Sequence, residues 1–192
     1  ESRGVAVNAG FLTGHSALRR VAMGERAIEG AASEAEIEHM TVLLHESLEA
    51  GALGFSSSQA PTHNDGDGNP VPSRGASAEE LLTLAGAVRD HAGTQLELII
   101  PGCLNGFTDD EVELMAALSI AANRPLNWNV LGVRADGNHA QQLDASSRAA
   151  AHRRWNRSRY QVSMSRSSAS TYTARSSAGP SAGPSAGPSA ES

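Results

Sequence analysis

SAEELLTLAGAVRDHAGTQLELIIPG (77–102) carries one complete helix-to-strand unit, and its reading decides the fold. Ser77 with Glu80 three residues on is a capping box, in which the hydroxyl and the carboxylate satisfy orphan amides at a helix start. Leu81, Leu82, Ala85 and Val88 follow at helical spacing, so the helix is expected to run to about His91. Gln95 to Ile100 is then a short apolar run of strand length, and Pro101 to Phe107 reads as a loop. The same alternation recurs on both sides. Upstream, Val5–Leu12 is a β-compatible run, and Ser33 with Glu36 opens a helix through Ile37, Met40, Leu44 and Leu48. Gly51 stands where that helix should stop, before a second strand at 52–56. Downstream, Thr108 with Glu111 opens a helix through Val112, Met115 and Leu118. Leu126–Val133 is a strand, and His139–His152 starts another helix. Four β–α units imply a parallel sheet with helical crossovers. A closed eight-unit barrel takes about 250 residues, so residues 1–152 are either a small doubly wound sheet or about half a barrel. Periodicity does not separate the two.

The charge is as uneven as the pattern is regular. The 192 residues carry a formal charge of −6, with 15 basic residues against 21 acidic ones. Residues 1–152 hold nine Arg and twenty acidic residues, whereas 153–192 hold six Arg and one Glu. No residue is Lys, a bias consistent with GC-rich coding. The acidic body argues against a nucleic-acid partner, which needs a basic stripe. No apolar run of membrane-spanning length exists, and no secretion signal stands at the start. The single cysteine, Cys103, fits a reducing compartment, so a cytoplasmic location is expected. The chain begins at Glu1 without an initiator Met, a hint that the true start lies elsewhere.

Residues 153–192 contain no Leu, Ile or Phe and end in three copies of Ser-Ala-Gly-Pro at 177–188. Such a segment buries too little apolar surface to offset its ordering entropy, so a disordered tail is expected. A flexible Ser/Arg-rich tail, a weak nucleic-acid-binding tail and an out-of-frame product all fit the abrupt change at His152-Arg153.

Candidate chemistry is sparse. Gly14-His15-Ser16-Ala17-Leu18 has the setting of a nucleophile elbow, but that turn needs Gly at its fifth position and has Leu18. His15 itself sits just past a strand, where α/β proteins place ligands, although a hydrogen-bonded structural histidine is the simpler reading. The loop His63-Asn64-Asp65-Gly66-Asp67-Gly68-Asn69 offers oxygen ligands, but the bidentate Glu of a calcium loop is replaced by Ala76 at position twelve. It reads either as a turn-rich loop or as a substrate-facing one. Asn127 and Asn129 flank Trp128 in a strand, so both amides share one face and the indole takes the other. Those amides bind ligand or staple neighbouring strands. Glu97 alternates in the same way between Leu96 and Leu98. No Cys/His cluster has zinc spacing, and Cys103 lacks an activating partner.

VNAGFLTGHSALRRVAMG (7–24), LEAGALGFSSSQAPTHNDGDGNPVPSR (48–74) and RPLNWNVLG (124–132) together resemble the D-aminoacylase branch of the amidohydrolase superfamily, in particular N-acyl-D-amino-acid deacylase-like proteins of actinobacteria. The resemblance covers about 1–152. It implies a (β/α)8 TIM barrel of the metal-dependent hydrolase type, with zinc at the strand C-termini and a linear, non-peptide amide as small-molecule substrate. The family's first-strand His-x-His would lie upstream of Glu1, and its late catalytic Asp beyond residue 152. Where the family has metal-ligand histidines on middle strands, this chain offers Glu97, Asn127 and Asn129, and Gly75 stands where a His is expected. No metal ligand is therefore carried over, and no catalytic residue is assigned. The candidate substrate-binding residues are His15, His63, Asn127 and Asn129. The expectation is an amidohydrolase fragment, inactive as given, with a non-catalytic binding or structural remnant as the alternative. The residues give no oligomeric state.

Overall fold

The computed structural model describes residues 8–129 and 139–151. Four strands, β1 (Thr13–Gly14), β2 (Gly54–Ser58), β3 (Gln95–Ile99) and β4 (Leu126–Trp128), form one sheet in the order 1-2-3-4. All three pairings are parallel. The helices are α1 (His15–Met23), α2 (Glu34–Glu49), α3 (Ala78–Val88), a single turn α4 (Gly102–Asn105), α5 (Asp109–Ala122) and α6 over 139–151. Sequential strand order decides between the two architectures left open above. A doubly wound sheet reverses its order at a switch point, whereas right-handed crossovers that never reverse stack every helix on one side, as in a barrel. The described residues are α/β, with four parallel strands of barrel type backed by one layer of helices.

Helix starts obey the local chemistry. Ser33 and Thr108 form complete capping boxes with Glu36 and Glu111. Ser77 accepts from the Glu80 amide, but the Glu80 carboxylate does not return to the cap; it turns inward, with consequences described below. Gly51 ends the α2 turn at a φ of 102°, a conformation open to glycine at little cost.

The first strand is a correction. Residues 8–12 of the Val5–Leu12 run are irregular, residues 1–7 lie outside the described part, and pairing begins only at Thr13 with Phe55. Phe11 is 74% exposed, and its carbonyl accepts from Leu53 N at 2.8 Å. Gly10 approaches Leu53 so closely that a Cβ there would overlap its side chain. Gly10 and Phe11 therefore touch Leu53, the residue before β2, without entering the ladder. β2 also starts two residues later than expected, at Gly54, whose φ of 150° and close approach to the Gln95 backbone exclude a Cβ. Of the predicted strand 126–133, residues 126–128 pair and 130–133 lie outside the described residues. The expected loop 101–107 contains the one-turn α4. The 153–192 tail is outside the described residues altogether.

The core lies between sheet and helices. Phe55, Leu96 and Leu98 pack against Met40, Leu44 and Leu48 of α2, Leu81, Leu84 and Val88 of α3, and Val112, Met115 and Leu118 of α5. At roughly 25 cal/mol per Å² of apolar surface removed from water, this layer is the main source of stability.

Candidate functional site

Strand pairing places Gly14, Ser56, Glu97 and Asn127 in one row across the sheet. Because side chains alternate along a strand, and Phe55, Leu96 and Leu98 enter the core, Ser56, Glu97 and Asn127 point to the opposite face. No described helix covers that face. Asn127 is exposed and its Nδ2 donates to Glu97 Oε2 at 3.5 Å. Trp128, on the other side, meets Phe107 edge-on with centroids 5.1 Å apart, as the Asn-Trp-Asn alternation requires. Asn129 follows β4 and its amide donates to Leu98 O at 3.2 Å.

Above the C-terminal end of β2, residues 59–75 form the rim. Asp65 Oδ1 accepts from the amides of Asp67 and Asn69 at 3.0 and 2.9 Å, an Asx-type turn. These bonds, led by that from Asn69, hold the Asp65 carboxyl below its usual range. Ser73 anchors the loop: its hydroxyl donates to Ser58 O at 2.7 Å, and its amide donates to Ser16 Oγ at 3.2 Å. Arg74 donates to Asn64 Oδ1 at 2.7 Å. His63 is exposed, and its backbone closes the loop through bonds to Ala60 and Val71.

His15 takes a different place from the other three candidates. It begins α1 directly after β1, at the same end of the sheet as His63 and Asn129, but its ring enters the helix layer and is fully buried. Nδ1 lies 2.8 Å from Ser57 Oγ, and Nε2 lies 2.8 Å from Glu80 Oε1. Arg19 Nη1 donates to both Glu80 oxygens, and its other nitrogens reach the carbonyls of Ala27 and Gly30. Since Glu80 can only accept, Nε2 carries the proton and the Ser57 hydroxyl donates to Nδ1. Burial pushes the His15 pKa down, outweighing its attraction to Glu80. Burial also pushes the Glu80 carboxyl up, but its bonds from His15 and Arg19 win and hold it below its usual value. The set joins a serine, a histidine and a carboxylate in the order of a nucleophilic triad. With histidine and glutamate side chains at 0% exposure, no substrate reaches it, and its chemistry is structural.

Sequence reasoning missed Ser57, Glu80 and Arg19. The capping-box motif gave Glu80 a local role at the start of α3 and so concealed its partners in the core. The available signal was Ser57, which shares the buried face with Phe55 and therefore needs a partner.

A metal demands more than these faces supply. Among the described residues, no group of three or more His, Cys, Asp or Glu is placed to hold an ion. Glu97 is the sole ordinary metal ligand in the row of Ser56, Glu97 and Asn127, whereas hydrolytic zinc sites use about three. The described residues do not fit the metal centre of the family type, and no step through a metal is assigned to them. Cys103 is buried, which pushes its thiol pKa up and leaves it a poor nucleophile.

The amidohydrolase family model matches residues 2–173. The chain belongs to the amidohydrolase family. The match runs past residue 152, the approximate end of the resemblance read from the sequence. Two solved structures are similar to this amidohydrolase. One is a D-aminoacylase variant in complex with copper chloride, 23% identical, with a TM-score of 0.48 over 66% of this chain and 24% of that one. The other, from work on one-metal activation and second-metal attenuation in the binuclear centre of D-aminoacylase, is 24% identical, with a TM-score of 0.47 over 65% and 23%. The chain thus spans about a quarter of the length of these structures. No curated protein matches it. Among the described residues, no helix is long and apolar enough to cross a membrane.

Proposed function

We propose that the described residues form one wall of the substrate chamber of an amidohydrolase acting on linear amides such as N-acyl-D-amino acids, and that this chain as given does not hydrolyse them. The observation that carries the reading is the row Ser56–Glu97–Asn127 on the uncovered face of a parallel, barrel-ordered sheet in an amidohydrolase. The Ser56 hydroxyl and the Asn127 amide can donate to and accept from the polar end of a small acylated amine, and the Glu97 carboxylate can accept from it. Ligands of such folds bind at the strand C-termini. Zinc, the metal the sequence resemblance implies, would draw its ligands from outside the described residues. His63, Asn129 and the Ser73-anchored rim would then border the chamber. His15 supports it from below without touching substrate. Buried Cys103, the one cysteine, supports a reducing, cytoplasmic setting.

The test has two arms. In the purified chain, titration with N-acetyl-D-amino acids should shift the side-chain amide resonances of Asn127 and leave those of Gln142, buried behind α4, unmoved. Assay with added zinc should give no turnover. Zinc-dependent turnover that disappears in His63→Ala or Glu97→Gln would overturn the claim of inactivity. Absence of any shift at Asn127 would overturn the assignment of the wall.

A further inference from the structure

At the opposite end of the strands from the rim, His45 and His91 face each other between α2 and the α3–β3 connection. His45 Nδ1 lies 2.8 Å from His91 Nε2, with ring centroids 5.1 Å apart and planes tilted by 45°. Both residues are half-buried, so solvent reaches them while packing limits their motion. His45 sits between buried Leu44 and Leu48 on α2. His91 is fixed through its backbone: its amide donates to Val88 O at 3.2 Å, and its carbonyl accepts from Thr94 Oγ1 at 2.6 Å and Arg124 Nη2 at 2.7 Å. This pair takes no part in the proposed chamber.

We propose that His45 and His91 form a two-imidazole site for a divalent late transition-metal ion with tetragonal preference, copper(II) or nickel(II). In the metal-free pair one nitrogen donates and the other accepts. A cation bonded to both at about 2.0–2.1 Å, with ligands about 90° apart as in tetragonal sites, needs the nitrogens about 2.9 Å apart. A tetrahedral ion needs about 3.3–3.4 Å at the same bond lengths. The observed 2.8 Å is the length of a hydrogen bond and shows that the two nitrogens approach within reach of one ion. The preference for copper(II) or nickel(II) rests on imidazole donors and the order of divalent-metal affinities. On binding, the donating ring moves its proton to its other nitrogen, and both rings turn their lone pairs from each other to the ion. A neutral pair thus takes up the cation with no net change in protons. Among the described residues no third side chain completes the set, so the remaining positions belong to solvent or an added chelator. The neighbouring charges are mixed. Glu46 and Asp90 adjoin the pair in sequence. Arg89 and Arg124 are committed to the carbonyls of Ile120, Ala121, Asn123 and His91.

Copper(II) iminodiacetate is the probe, because the chelator leaves few inner positions and rewards two adjacent imidazoles over one. The full chain should bind one equivalent, with an electron paramagnetic resonance spectrum showing two imidazole nitrogens. His45→Gln and His91→Asn should each weaken binding at least tenfold and leave a one-nitrogen spectrum, while His63→Ala changes neither. If His91→Asn fails to fold by circular dichroism, His45→Gln decides, since its position on α2 tolerates glutamine. Binding unaffected by His45→Gln, or a one-nitrogen spectrum in the unsubstituted chain, would overturn the assignment.

Discussion

The two faces of this sheet carry the same kinds of side chain and use them oppositely. On the helix face, Ser57, His15, Glu80 and Arg19 are buried and bonded to one another. On the open face, Ser56, Glu97 and Asn127 share one long hydrogen bond and meet solvent. A buried polar group must find partners within the fold, so the first set is spent on internal satisfaction and fixes α1, β2 and α3 together. The second set has no such debt and is free for a ligand. Among the described residues, the proposed wall therefore draws on the polar side chains that the fold leaves unused.

The comparison breaks first at Glu80. Its carboxylate is the counter-ion of a buried guanidinium, so Glu80→Ala leaves Arg19 uncompensated. Removing one partner of a buried pair costs about 3–5 kcal/mol, a large part of the stability of a domain this size. The expected outcome is loss of the cooperative urea transition at pH 7. A variant as stable as the parent would show that the network is incidental. Ser57→Ala should cost less, about 1–3 kcal/mol, the price of a buried acceptor left without its donor. Here the acceptor is His15 Nδ1, and the urea midpoint measures the loss.

The network also sets a direction with pH. His15 has a lowered pKa when folded, so the unfolded chain binds the proton more readily. Stability contributed by neutral His15 is present above the unfolded value near 6.5 and falls as the pH drops from there to the folded pKa. Glu80, also lowered, adds a further loss in the more acid range below about 4.5. Urea midpoints between pH 7.5 and 5.5 should therefore decline on acidification, and more steeply in the parent than in His15→Gln. Equal slopes would remove His15 from the account.

How far the sequence revealed these faces follows from the same contrast. Strand and helix alternation, three N-caps and the Asn-Trp-Asn alternation are local properties, and they were legible because spacing alone expresses them. The partners of His15 were not, because Ser57 and Glu80 lie 42 and 65 residues away from it and the Ser77–Glu80 motif has a complete local explanation that the fold overrides. β1 was placed too early for a related reason: apolar character marks Val5–Leu12, but ladder pairing is set by the partner strand, which Thr13 and Gly14 meet at Phe55 and Ser56. The choice between half a barrel and a doubly wound sheet rested on strand order, which no single segment encodes.

The smallest expected effect is the sharpest test of the open face. Asn127→Ala removes one exposed amide and its 3.5 Å bond to Glu97. Exposed substitutions away from caps and networks stay within about ±0.5 kcal/mol, and a weak, solvated bond of this kind adds little. The urea midpoint should therefore hardly move, nor should that of Glu97→Gln, which keeps the shape and deletes the charge. The ligand-dependent shifts described above should disappear in both. A destabilisation of Asn127→Ala beyond about 1 kcal/mol, well outside the usual range for exposed sites, would mean that the amide staples β3 to β4. The two faces would then differ in exposure but not in purpose.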